Sequence, residues 1–88
     1  MKLQGDIISG EFNQLKNEFY LQRVKHFTTN STLNENQLKT LYDYLNKHKN
    51  EADGQILTLY DQMPVRLSQE EINQLMNELD KIKNWFHE

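Results

Sequence analysis

The chain contains no cysteine, one proline and three glycines among 88 residues. The absence of cysteine excludes disulfide staples, thiolate metal sites and cysteine nucleophiles, and suits a reducing cytosol. With so little proline and glycine there is no linker to divide the chain, so residues 1–88 are expected to form a single domain. Gly5, Gly10 and Gly54 are scattered, which leaves no glycine-rich loop to cradle a phosphate.

Long hydrophobic runs are missing too. No stretch approaches the roughly 18 apolar residues of a membrane span, and the opening MKLQGDIISGEF lacks the apolar core of an export signal. A cytoplasmic location is expected. Charge of one sign is also lacking: 10 basic and 13 acidic side chains give a net charge of −3, too weak to imply a grip on phosphates or a mimic of nucleic acid. His26, His48 and His87 stand apart, with no HExxH spacing, and the carboxylates are expected on caps and polar helix faces rather than in a desolvated cleft. No enzyme activity, cofactor or metal is expected.

What the sequence does contain is a repeated phrase. LNENQLKTL at 33–41 returns as LSQEEINQL at 67–75. Each reads as helix-start chemistry: Asn34 and Ser68 as N-caps, Gln37 and Glu71 closing capping boxes, and Leu33 with Leu38 and Leu67 with Ile72 as hydrophobic staples. Behind each start, apolar residues recur at helical spacing, Leu38, Leu41 and Leu45 in one helix and Ile72, Leu75, Leu79, Ile82 and Phe86 in the other. The phrase recurs after 34 positions, but the small and aromatic signature positions of a tetratricopeptide repeat are absent. Ser68, Gln69 and Glu70 resemble the start of the S-Q-E-L-D signature of the small helical phosphatase regulators of sporulation, yet Glu71 and Ile72 follow where that signature has Leu and Asp.

A further helix is read from Gly10 to Phe27, with Phe12, Leu15 and Phe19 on one side and Tyr20, Val24 and Phe27 on another, ended by the polar run TTNSTLN. A shorter one is read over GQILTLYDQM, stopping at Pro64. The expected fold is therefore all-α, a four-helix domain of two tandem helical hairpins. The alternative is α+β, with residues near 6–9 pairing residues 56–60, because ILTLY also passes for a strand. Basic clusters at 23–26, 47–49 and 81–83 sit at the ends of these helices, and Glu11, Glu35, Asp53, Glu70 and Glu71 at their starts, an arrangement the helix dipole favours without any ligand.

Large side chains left off the apolar stripes mark the expected contact surface. Tyr44 and Trp85 each fall about 100° from their helix's stripe, and Tyr20, Leu21 and Val24 extend the apolar side of the first helix beyond one core face. These five residues are the candidate protein-binding positions. The expectation is a small non-catalytic protein-binding regulator or inhibitor, whose partner is another protein or a second copy of the chain. Asn and Gln fill 18 positions and suggest an AT-rich coding genome, hence a phage or mobile-element origin. The alternative is a nucleic-acid-binding transcriptional accessory, although Glu70, Glu71, Asn73, Asn77, Glu78 and Asp80 would make the second capped helix a poor reader of bases.

Overall fold

Both capping boxes form as expected. The computed structural model describes residues 1–50, the main chain of 55–58, and residues 64–87. Asn34 Oδ1 accepts the Gln37 N–H at 2.8 Å while Gln37 Oε1 accepts the Asn34 N–H at 2.9 Å, and helix α1 runs from Glu35 to His48. Ser68 and Glu71 make the same exchange at 3.1 and 2.8 Å to start helix α2, Gln69–Lys83. Leu33, Leu38, Leu67 and Ile72, the staple residues, are all buried. Asn34→Ala and Ser68→Ala are each expected to lower stability by about 0.5–2 kcal/mol; urea midpoints that do not move for either would refute the caps.

The rest of the all-α expectation is overturned. The first 33 residues form a four-stranded antiparallel meander, β1 (Lys2–Gln4), β2 (Ile8–Asn13), β3 (Glu18–Val24) and β4 (Phe27–Leu33), in the order β1-β2-β3-β4. The segment read as a helix from Gly10 to Phe27 is two strands and a turn, and TTNSTLN is largely strand. Gln55–Thr58 (β5) pairs antiparallel with Pro64–Leu67 (β6) rather than with residues 6–9, so the α+β alternative had the fold class but not the pairing. The remainder of the helix read over GQILTLYDQM lies outside the described residues.

One face of the meander carries the core. Ile8, Phe12, Phe19, Leu21, Val24 and Leu33 point inward, joined by Leu38 and Leu45 of α1, Val65 and Leu67 of β6, and Ile72, Leu75, Leu79 and Ile82 of α2. Where Ile8, Leu21, Val24 and Leu33 meet Leu41, Leu75 and Leu79, the gap is only about 10 Å³, so sheet and both helices close on one another. The helices run antiparallel. The start of α1 follows Leu33, which pairs with Phe19 opposite Phe12, and Phe12 packs against the rings of Trp85 and Phe86 just beyond α2. The start of α2 is held at the other end of the sheet, where Glu71 meets Lys25 at 2.9 Å.

Candidate binding surface

With both helices on the inner face, the outer face of the meander is left to polar side chains: Gln4, Glu11, Tyr20, Gln22, Asn30 and Thr32 among them. Two offset bulges shape its centre. Ser9 pairs with Arg23 but Gly10 with Leu21, so β3 carries Gln22 as an extra residue against β2. On the other side Leu21 pairs with Ser31 but Arg23 with Thr28, so Thr29 and Asn30 together stand opposite Gln22. Bulges bend and twist a strand locally and re-aim its side chains. Here they keep Leu21 and Val24 inward while turning Gln22 and Arg23, two consecutive residues, away from the core.

The result is an open groove of about 360 Å³ lined by Tyr20, Leu21, Gln22, Asn30, Ser31 and Thr32. Its polar side chains are uncharged: a phenol, two amides and the Thr32 hydroxyl. Tyr20 stands directly between Glu11 on β2 and Thr32 on β4, and Asn13 Nδ2 donates to its hydroxyl at 3.4 Å. Glu11 is within 3.8 Å of Lys2. Arg23 is turned to structural work, its guanidinium donating to the Gly5 carbonyl at 2.7 Å, to Ser9 Oγ at 3.2 Å and to the Lys25 carbonyl.

The β1–β2 turn is anchored to α2 by Glu78, a carboxylate only 1% exposed. Its oxygens accept the main-chain N–H groups of Asp6, Ile7 and Ile8 at 3.1, 3.2 and 2.8 Å, and Gln74 Nε2 donates to it at 3.0 Å. The β1–β2 turn is thus clamped between Glu78 below and Arg23 at its Gly5 carbonyl. Glu78 was expected on an exposed helix face and is instead the most deeply placed charged side chain of α2. The missed signal was its spacing: it stands three residues after Leu75 and four before Ile82, on the apolar stripe itself.

A second anchor holds the β3–β4 turn to α2. Lys25, with φ of 55° in the left-handed region, donates from Nζ to the Arg66 carbonyl at 3.1 Å and pairs with Glu71. The Glu71 carboxyl is held below its ordinary pKa, first by the Ser68 N–H it accepts and then by the hydrogen bond and charge of Lys25. A lowered acid stabilises the fold above its ordinary value and loses that contribution as pH falls through the folded one, so this part of the stability disappears in the acid range. Lys25→Met is expected to raise the Glu71 pKa only part-way toward normal, because the cap remains. Carboxyl NMR titration checks it; a Glu71 value unchanged in the variant would mean that Lys25 contributes nothing.

The five residues singled out in the sequence are not brought together. Tyr20 is half-buried on the outer sheet face. Leu21 and Val24, at 2% and 1% exposure, are core residues, which corrects their assignment to a contact surface. Tyr44, 40% exposed, lies on α1 with its ring 4.6 Å from that of His48, on the opposite layer from Tyr20. Trp85 is half-buried, tilted on Phe12 with ring centroids 6.2 Å apart. Gln22, Asn30 and Thr32 were missed, because with Gly10–Phe27 read as a helix the outer sheet face does not exist. Leu21→Glu is therefore expected to unfold the domain, costing several kcal/mol by burying a charge, whereas Gln22→Glu should leave the melt nearly unchanged. Equal, small effects of the two would contradict the face assignment.

Among the described residues no group of three or more His, Asp or Glu is placed to hold a metal ion, and no helix is long and apolar enough to cross a membrane. The basic clusters do not merge into one track: Lys81 and Lys83 end α2 at one end of the domain, Lys47 and His48 end the antiparallel α1 at the other, and Arg23 and Lys25 are engaged internally. The chain matches no family model, no curated protein and no solved structure.

Proposed function

We propose that the chain is a small non-catalytic binding module of the cytosol that docks a protein partner on the outer face of its four-stranded sheet. The observation that carries this reading is the one-sided packing: both helices cover the inner face, and the outer face presents a bulge-shaped, uncharged groove around Tyr20. A phenol flanked by two amides and a hydroxyl suits protein contact, since tyrosine supplies apolar area with a polar tip at low entropic cost. Phosphate binding is disfavoured on this face, where Glu11 offsets Lys2 and Arg23 is committed to main-chain carbonyls. A regulator or inhibitor acting by occlusion fits such a module, and a phage or mobile-element origin fits its size and Asn-rich composition.

The experiment is affinity capture from the native host with the wild type and with Tyr20→Ala and Asn30→Arg variants whose thermal melts are native-like. The reading expects one protein retained by the wild type and lost by both variants. Retention of the same protein by both would refute the face, and salt-sensitive retention of nucleic acid by the wild type would replace the reading with the nucleic-acid alternative.

A further inference from the structure

The two edges of the four-stranded sheet are unequal. β1 is three residues long and carries Lys2, paired to Glu11 at 3.8 Å, and a short edge strand with a lysine on it is a common guard against pairing with another chain. β4 is seven residues long, FTTNSTL, with no charged side chain and no proline. Among the described residues, no main chain pairs with β4 on the side away from β3. Its register offset at Thr29–Asn30 lies against β3, and exposed and buried residues still alternate without a break from Thr28 to Leu33. Such an edge offers a regular row of N–H and C=O groups to a further strand.

The strand also reads nearly the same in both directions about Asn30: Thr28 answers Thr32, Thr29 answers Ser31, and Phe27 answers Leu33. In an antiparallel pair of identical strands with Asn30 opposite its own copy, every position meets the residue that mirrors it. Each match joins like surfaces. Thr28, Asn30 and Thr32 are exposed on the outer face and would stand together there, while Thr29 and Ser31, at 5% and 6% exposure, would continue the inner face. Cross-strand Thr–Thr and Thr–Ser pairs are favourable, and no like charges come into opposition. Phe27, 38% exposed, would lie at each end of the seam against Leu33 of the second copy. A slip of one residue would set outward positions against inward ones, which the burial of Thr29 and Ser31 opposes.

We propose that β4 is a homodimer seam: two copies of this chain join antiparallel along β4, about a two-fold axis at Asn30, into one continuous sheet with the helices of both copies on the same face. The mirror order of the strand is what singles out a second copy. An unrelated strand could use the open edge but would gain nothing from that order, whereas a two-fold interface requires one patch to complement itself. The seam consists of main-chain bonds and small side chains and buries little apolar area, so the association is expected to be reversible and concentration-dependent. Asn30, Ser31 and Thr32 also line the groove beside Tyr20, so the two grooves meet across the axis as one trough on the outer face. The inference concerns β4 alone and does not rest on the groove's having a partner.

Sedimentation velocity on the full chain, from micromolar to millimolar concentration, is expected to show a mass rising from monomer to dimer. Two charge variants then read the register. Thr28→Lys/Thr32→Lys sets like charges opposite one another at both positions and should raise the dimer dissociation constant by about fivefold or more, whereas Thr28→Lys/Thr32→Glu sets opposite charges there and should restore association. A second readout does not depend on how well those variants fold. The chain has no cysteine, so under mild oxidation Asn30→Cys should cross-link to its own copy. Thr28→Cys alone and Thr32→Cys alone should not, but their mixture should, because position 28 faces position 32 and lies about 13 Å from its own copy, beyond disulfide reach. A monomeric mass at every concentration, equal association of the two charge variants, or self-linking of Thr28→Cys as ready as that of Asn30→Cys would overturn the proposal.

Discussion

Glu78→Gln is expected to lower the unfolding free energy by about 3 kcal/mol, the scale of breaking a buried, fully hydrogen-bonded charge. The side chain keeps its size, so no cavity enters the comparison. What changes is donor and acceptor count. The carboxylate faces only donors, the N–H groups of Asp6, Ile7 and Ile8 and the Gln74 amide, whereas a glutamine must turn an NH₂ toward at least one of them. A buried donor is then left facing a donor. Gly5 extends the argument: a Cβ there would stand 2.2 Å from Glu78 Oε1, so Gly5→Ala is expected to destabilise by displacing the carboxylate. In a Glu78→Ala background that penalty should largely vanish, and a double-mutant cycle by urea denaturation reads the coupling directly. Additive effects would show that the turn and the carboxylate are held independently.

The two halves of the chain differ in how legibly they are written. The capped helices were readable because every local device agreed: cap residue, reciprocal N3 partner, flanking hydrophobes, acids in the first turn and bases in the last. The meander was not, for three identifiable reasons. The bulge at Gln22 breaks the alternation of β3, so Phe19, Leu21 and Val24 share a face without sharing a period of two. The inward positions Thr29 and Ser31 are polar, bonded to one another at 3.2 Å, which hides a half-buried strand inside what reads as a loop. And Leu15, which seemed to belong to a helical stripe with Phe12 and Phe19, is a turn residue in solvent. A segment apolar over more than half of a helical circumference signals no helical face at all, and the β-branched run TTNST with Asn13 and Asn17 flanking a turn was the better guide.

The candidate surface inherits the same illegibility. Tyr20 was visible as a large side chain with no stripe to join, but its neighbours Gln22, Asn30 and Thr32 become neighbours only through strand register. Register is set by long-range pairing that no local pattern in β4 declares. Leu21 and Val24 were singled out because a helix could not bury them together with Phe12 and Phe19, and a bulged strand does so without difficulty.

Gly10→Ala is expected to be as damaging as any single methyl group added to this domain. A Cβ at Gly10 would stand 2.1 Å from the Tyr20 carbonyl oxygen and 2.7 Å from Phe19 Cζ, where ordinary contact begins at 3.4 Å. At Gly5 the obstacle is the end of a side chain that can swing aside. At Gly10 it is main chain on one side and a ring with 0% exposure on the other, so relief requires parting β2 from β3 at the step where β3 carries its extra residue. Overpacking of a tight core costs about 1–3 kcal/mol, and loss of ladder hydrogen bonds between the two central strands adds to it, so a fall of about 3 kcal/mol or more is expected in a thermal or urea melt. The same close approach fixes the height of the Tyr20 carbonyl and hence the bulge that turns Gln22 outward. A Gly10→Ala variant still folded at low temperature should therefore show altered amide shifts at residues 20–23 and 29–31, and weakened capture of any partner lost on Tyr20→Ala. A variant that melts like the wild type would mean that the strands slide freely at this step. In that case nothing would hold Gln22 and Asn30 in register, and the groove would lose its structural basis.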